Sequence, residues 1–93
     1  MINLYQRTWT EINTDIASRM VQLRKRKKIT QKELSVKSGV SLGSLKRFEQ
    51  SGEISLQSFT KLAIALEVEG ELDRLFCEVP FGSIEEILRG QTK

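Results

Sequence analysis

Histidine is absent from the 93 residues, and cysteine, tryptophan, tyrosine and proline occur once each. Without histidine the chain lacks the usual general base and the commonest metal ligand. Cys77 on its own can form no intrachain disulfide, which suits a reducing cytoplasm, and it cannot build a structural zinc site. There is no Gly-rich phosphate loop and no nucleophile elbow. No apolar run approaches the roughly 18–20 residues that a membrane-spanning helix needs. The leader, Met1 to Trp9, has neither the basic nor the apolar region of a secretory signal. These absences remove the usual general base, the commonest metal ligand and most triad chemistry, and leave the expectation of a cytoplasmic binding domain without cofactor or metal, not an enzyme.

What the chain does have is charge, unevenly placed. Hydrophobic content of 39% with 29% charged residues fits one soluble globular domain with a modest core. The net charge of +3 conceals a segregation: Arg19 to Arg47 holds ten bases and one acid, for +9, whereas residues 48–93 hold four bases and nine acids, for −5. A basic third of this density is the footprint of a nucleic-acid face. The run Lys25-Arg26-Lys27-Lys28 also fits a plainer role, complementing the carbonyl end of a helix dipole. A membrane-surface role lacks the aromatic face it would need.

The basic third contains Thr30 to Gln50, which reads as two short helices hinged at Gly39. Thr30 with Glu33 forms a capping box, and Ser41 is a good N-cap for Leu42 to Gln50. Glycine is the residue that most cheaply ends a helix in the left-handed conformation. By the ~100° step per residue, Leu34, Ser35 and Ser38 share one side of the first helix. In the second, Leu45 and Phe48 form a core arc with Glu49 beside it, and Gly43, Lys46, Arg47 and Gln50 look outward. A bare glycine on an outward face costs about 1 kcal/mol against alanine, which makes sense where something approaches closely. Two helices, a glycine turn and a basic second helix are the parts of a helix-turn-helix DNA reader.

The flanking segments are also helical in pattern. Thr8 and Glu11, with Thr10 as a competing cap, open a helix to about Lys27, with Ile12, Ile16, Met20 and Leu23 as its apolar stripe. Ile2, Leu4, Tyr5 and Trp9 are too apolar for a free tail and are expected to dock on the body or on a second subunit. Ser55 caps a helix from Leu56 to Leu66, with Leu56, Phe59, Leu62, Ala63 and Leu66 at core spacing. Gly70 is expected to break the chain before a fifth helix, Glu71 to Phe76, carrying Leu72, Leu75 and Phe76. Pro80 and Gly82 then punctuate, and Ser83 with Glu86 caps a small amphipathic helix bearing Ile84, Ile87 and Leu88. The division is an arm over 1–9, a domain over 10–78 and an extension over 79–93, all-α throughout.

Leu23-Arg24, Ile29 to Ser35, Ser38 to Ser41, Leu45, Phe48-Glu49, Gly52 and Leu62 to Leu66 together resemble the Xre family, the helix-turn-helix domains similar to phage lambda repressor and Cro. Ser35 departs from the alanine usual there, although a serine can bond an upstream carbonyl. The resemblance implies a compact five-helix lambda-repressor-like domain that binds operator DNA as a symmetric dimer, with the second motif helix in the major groove. It implies that Leu42, Gly43, Lys46 and Arg47 face base edges, that Gln31 bonds a phosphate, that Gln50 lies near the backbone, and that Arg24 pairs with Glu49. Arg47 suits bidentate contact with guanine, worth roughly 1–3 kcal/mol of discrimination. Lys46 can read guanine or hold a phosphate, and Leu42 can meet a thymine methyl or merely pack at the helix start. Ser41, Ser44 and Ser55 mark helix N-termini whose N–H groups can meet phosphates. Lys27, Lys28 and Lys32 add attraction that weakens with salt.

The leader and the tail, Pro80 to Leu88, also resemble HipB-like antitoxins, small regulators encoded beside HipA-type kinase toxins. That likeness implies a protein partner, for which the acidic C-terminal third offers a surface. A tail folded back on its own domain is the alternative.

Overall fold

The computed structural model describes residues 6–78, which contain five α-helices: α1 (Trp9–Arg26), α2 (Gln31–Ser38), α3 (Leu42–Ser51), α4 (Leu56–Ala65) and α5 (Glu69–Asp73). The calls on Ile2, Leu4 and Tyr5, and on the extension with Ile84, Ile87 and Leu88, lie outside the described residues. Trp9 is the first residue of α1 and 70% exposed, so it does not dock on the body.

The helix starts follow from hydroxyl caps. Thr8, Thr30, Ser41 and Ser55 each accept a backbone N–H three residues on, at 3.1 Å in every case. Among the described residues only Thr30 closes a full capping box, its own N–H donating to Glu33 Oε1 at 3.1 Å. At Thr8 the box is half-formed, because Glu11 Oε1 takes the Thr8 hydroxyl at 3.0 Å and not its N–H.

The helix ends hold the main surprise. Each of the five is followed, within three residues, by a residue in the left-handed region, yet glycine supplies only Gly39 (φ 77°) and Gly52 (φ 79°). Lys28 (φ 58°), Glu67 (φ 63°) and Phe76 (φ 59°) do the same work after α1, α4 and α5. The expected break at Gly70 is therefore corrected: Gly70 lies within α5, and the chain turns at Glu67, whose N–H donates to the Ile64 carbonyl at 3.0 Å. Likewise α5 ends at Asp73, so Leu75 and Phe76 fall beyond it, 54% and 89% exposed.

Phe48, Leu34, Leu45, Leu62 and Leu66 form the fully buried centre, joined by Ala17, Val40 and Ala65. Each large side chain removed from water contributes roughly 1.5–3 kcal/mol before entropy is counted. Phe59 stands edge-on to Phe48, ring centres 5.7 Å apart. Two positions expected in the core are elsewhere. Leu56 is 74% exposed at the first turn of α4, on the rim of an open hollow shared with Asn13, Ile16, Phe48 and Phe59. On α1 the small Ala17 is what meets the core, so Ile16, Met20 and Leu23 flank it half-buried and Ile12 is largely in solvent.

Candidate nucleic-acid interface

α3 is held against the body along one side and open along the other. Leu45 and Phe48 are buried to 1% exposure, and Gly43, Lys46, Arg47 and Gln50 are exposed, as the helical step requires. Leu42 is half-buried at the helix start. A Cβ at Gly43 would meet nothing within 4 Å, so the glycine answers to no need of the fold itself.

The turn before α3 is tightly bonded. Gly39 caps α2, and its N–H donates to the Ser35 carbonyl at 3.0 Å. Ser35 Oγ donates across the hinge to the Val40 carbonyl at 2.6 Å. This corrects the expectation of a bond to an upstream carbonyl: the serine ties the turn downstream, where Val40 is buried and its carbonyl lacks a helical partner.

Behind α3 lies a polar network. Arg24 Nε and Nη2 donate to the two carboxylate oxygens of Glu49 at 2.8 and 3.1 Å, and Arg24 Nη1 donates to the Ile29 carbonyl at 2.8 Å. Both side chains are only 9% exposed. The fork geometry suits a carboxylate, and among the described residues no buried side-chain polar atom lacks a partner. The Arg24–Glu49 pair is thus present as the resemblance implied. The unforeseen member is Gln31, whose Nε2 donates to Glu49 Oε1 at 2.8 Å. One of the two N–H bonds of that amide is therefore engaged inside the network, and its other donor and its carbonyl remain for a ligand. No sequence spacing connects residues 31 and 49; the contact exists because α2 begins beside the end of α3.

The remaining basic residues divide by position. Lys28 and Lys32 are exposed on the turn and on the first turn of α2. Lys27 turns away from them, its Nζ 3.9 Å from Glu67 at the end of α4. Beyond Arg47, an open hollow of about 420 Å³ separates α3 from the start of α4, lined by Ser44, Arg47, Glu53, Ile54, Ser55 and Ser58. It gathers the expected Ser44, Arg47 and Ser55 around one space, next to the N-terminus of α4. Ser58 and Glu53 were missed, although Ser58 is signalled by its place three residues after the Ser55 cap. Ser41 lies across the start of α3, its hydroxyl donating to Ser44 Oγ at 2.8 Å.

Among curated proteins no match is found. Residues 20–72, more than half the chain, match the family model described as helix-turn-helix. Among the described residues no helix is long and apolar enough to cross a membrane. The matched span takes in the Arg24 end of α1, both hinged helices and the α4 that seats them, so the chain belongs to the helix-turn-helix family of DNA-binding transcription regulators, of the Cro/C1 type.

Proposed function

We propose that the protein is a sequence-specific repressor that binds a pseudo-palindromic operator as a homodimer, with α3 in the major groove. The observation that carries this reading is the exposed Gly43, Lys46, Arg47 and Gln50 face on a helix clamped from behind by Arg24–Glu49. Glycine at the N-terminal end of that face lets backbone approach the bases, and Arg47 supplies the fork that matches guanine. Gln31, Lys32, Ser41, Ser44 and Ser55, with Lys28 and Gln50, serve the phosphates on either side. Fluorescence anisotropy against the DNA upstream of its own coding sequence tests the claim. Specific affinity in the range of roughly 10⁻⁸–10⁻¹¹ M with a steep salt slope is expected; equal affinity for random duplex defeats it.

A second role is supported by the charge division along the sequence, +9 over residues 19–47 against −5 over residues 48–93. It is that of an antitoxin holding a HipA-type kinase toxin or another protein partner while regulating its own operon. Deleting Pro80 to Lys93 is expected to abolish capture of such a partner and leave DNA binding intact. Capture that survives the deletion removes the tail from the role.

A further inference from the structure

The hollow between α3 and α4 has one acid in its lining, Glu53, among serines and the base Arg47. A carboxylate is an odd lining for a space that faces a polyanion. It stands beside the start of α4, where free N–H groups favour anions, and its own charge repels them. The fold gives this side chain little to do. Glu53 is exposed, and among the described residues it forms no ion pair. Its carboxylate faces the Ser51 hydroxyl at a long 3.4 Å. That hydroxyl has one proton and lies 2.7 Å from the Arg47 carbonyl, which takes it. Glu49, by contrast, is committed to Arg24 and Gln31.

The same hydroxyl fixes where the acid stands. Ser51 Oγ accepts the Glu53 N–H at 3.3 Å while it donates to the Arg47 carbonyl, so one side chain links the backbones of acid and base. An uncommitted carboxylate and an exposed guanidinium therefore share one open space. A guanidinium carries five N–H donors. Two of them suffice for guanine O6 and N7, which leaves donors on its other edge for a carboxylate behind it. Guanine is neutral and feels no repulsion from that carboxylate, whereas a phosphate in the same place does. We infer that Glu53 is a positioning and specificity-determining residue: it backs Arg47 from within the hollow, aims its fork at a base edge and opposes its use on phosphates. The inference deepens the operator reading above and rests on it.

Anisotropy titrations against the DNA upstream of its own coding sequence and against random duplex test it, with wild type, Glu53→Gln, Arg47→Ala and the double variant. Glu53→Gln keeps the size of the side chain and removes the charge. It should bind random duplex more tightly and its own DNA no more tightly. The preference should fall by roughly two- to fivefold, the worth of one partly exposed ion pair. With Arg47→Ala in place, Glu53→Gln should leave the preference unmoved, because the acid acts through that base. A preference unchanged by Glu53→Gln overturns the inference, as does one that falls by the same factor without Arg47. The thermal midpoint of Glu53→Gln should match wild type; a lowered midpoint assigns the carboxylate to the fold and also overturns it. A wild type that binds both duplexes equally removes the operator reading and this inference with it. A wild type that discriminates, beside a Glu53→Gln that does so equally well, removes this inference alone.

Discussion

Replacing Arg24 by methionine tests the account of how α3 is held. Methionine keeps the apolar stem of the side chain and removes three hydrogen bonds, two to Glu49 and one to the Ile29 carbonyl. Glu49, 9% exposed, would then keep only the Gln31 amide. Breaking a buried pair from one side costs about 3–5 kcal/mol, because the remaining charge is left uncompensated. Against a total of roughly 5–14 kcal/mol for a domain this size, that is a large fraction. With a urea slope near 1 kcal/mol/M, the circular-dichroism midpoint should fall by about 3–5 M. The double variant Arg24→Met, Glu49→Leu removes the stranded charge and should recover at least half of the loss. A midpoint shift below about 1 M for Arg24→Met, or a double variant no more stable than the sum of the singles implies, would refute the reasoning.

Four further outcomes are expected. Gly52→Ala should be more damaging than Gly39→Ala. Both have positive φ, at a cost of about 1–2 kcal/mol, but a Cβ at Gly52 would lie 2.8 Å from the Asn13 carbonyl carbon whereas one at Gly39 meets nothing within 4 Å; denaturation midpoints compare them. Thr30→Ala should cost about 0.5–2 kcal/mol as a lost cap, read in the same assay. Glu33 is held below the ordinary glutamate value first by the Thr30 backbone N–H and then by its hydroxyl. A carboxylate lowered in the folded state adds stability above its unfolded value and loses it as pH falls through the lowered one. The advantage of wild type over Glu33→Ala should therefore shrink on acidification below about pH 4.5, and an advantage constant from pH 7 to pH 3 contradicts the bond. On DNA, Arg47→Ala should relax base preference by roughly 1–3 kcal/mol, while Lys32→Ala should weaken all sequences about equally and lower the salt slope by about 1; anisotropy titrations at several salt concentrations separate the two.

Much of the fold is readable wherever a local chemical device marks an element. Thr30, Ser41 and Ser55 announce helix starts through hydroxyls that need partners three residues on, and Gly39 marks a stop through its freedom at positive φ. The α3 face follows from the helical step alone, because one side of a short helix must be buried. Legibility fails where the device carries no residue signature. Lys28, Glu67 and Phe76 adopt the left-handed conformation without glycine, so Gly70 draws the eye to the wrong position. Leu56 and Ile12 sit at core spacing yet are 74% and 42% exposed, because spacing along one helix does not say which residues its neighbours cover. Gln31 joins Glu49 through tertiary proximity, and the hollow between α3 and α4 exists only once the two helices are assembled.

The contact between Gly52 and Asn13 bears on stiffness. Here the end of α3 comes so close to α1 that a single added carbon would strike backbone. Contacts between long side chains can yield by changing rotamer, but a backbone seat has no such freedom. With Arg24–Glu49 tying the same two helices, α3 would meet DNA, on the reading proposed above, as a rigid probe. When such a probe meets a site that does not quite fit, the duplex must bend or twist to meet it. Discrimination then extends to base pairs the protein never touches, graded by how easily each step deforms.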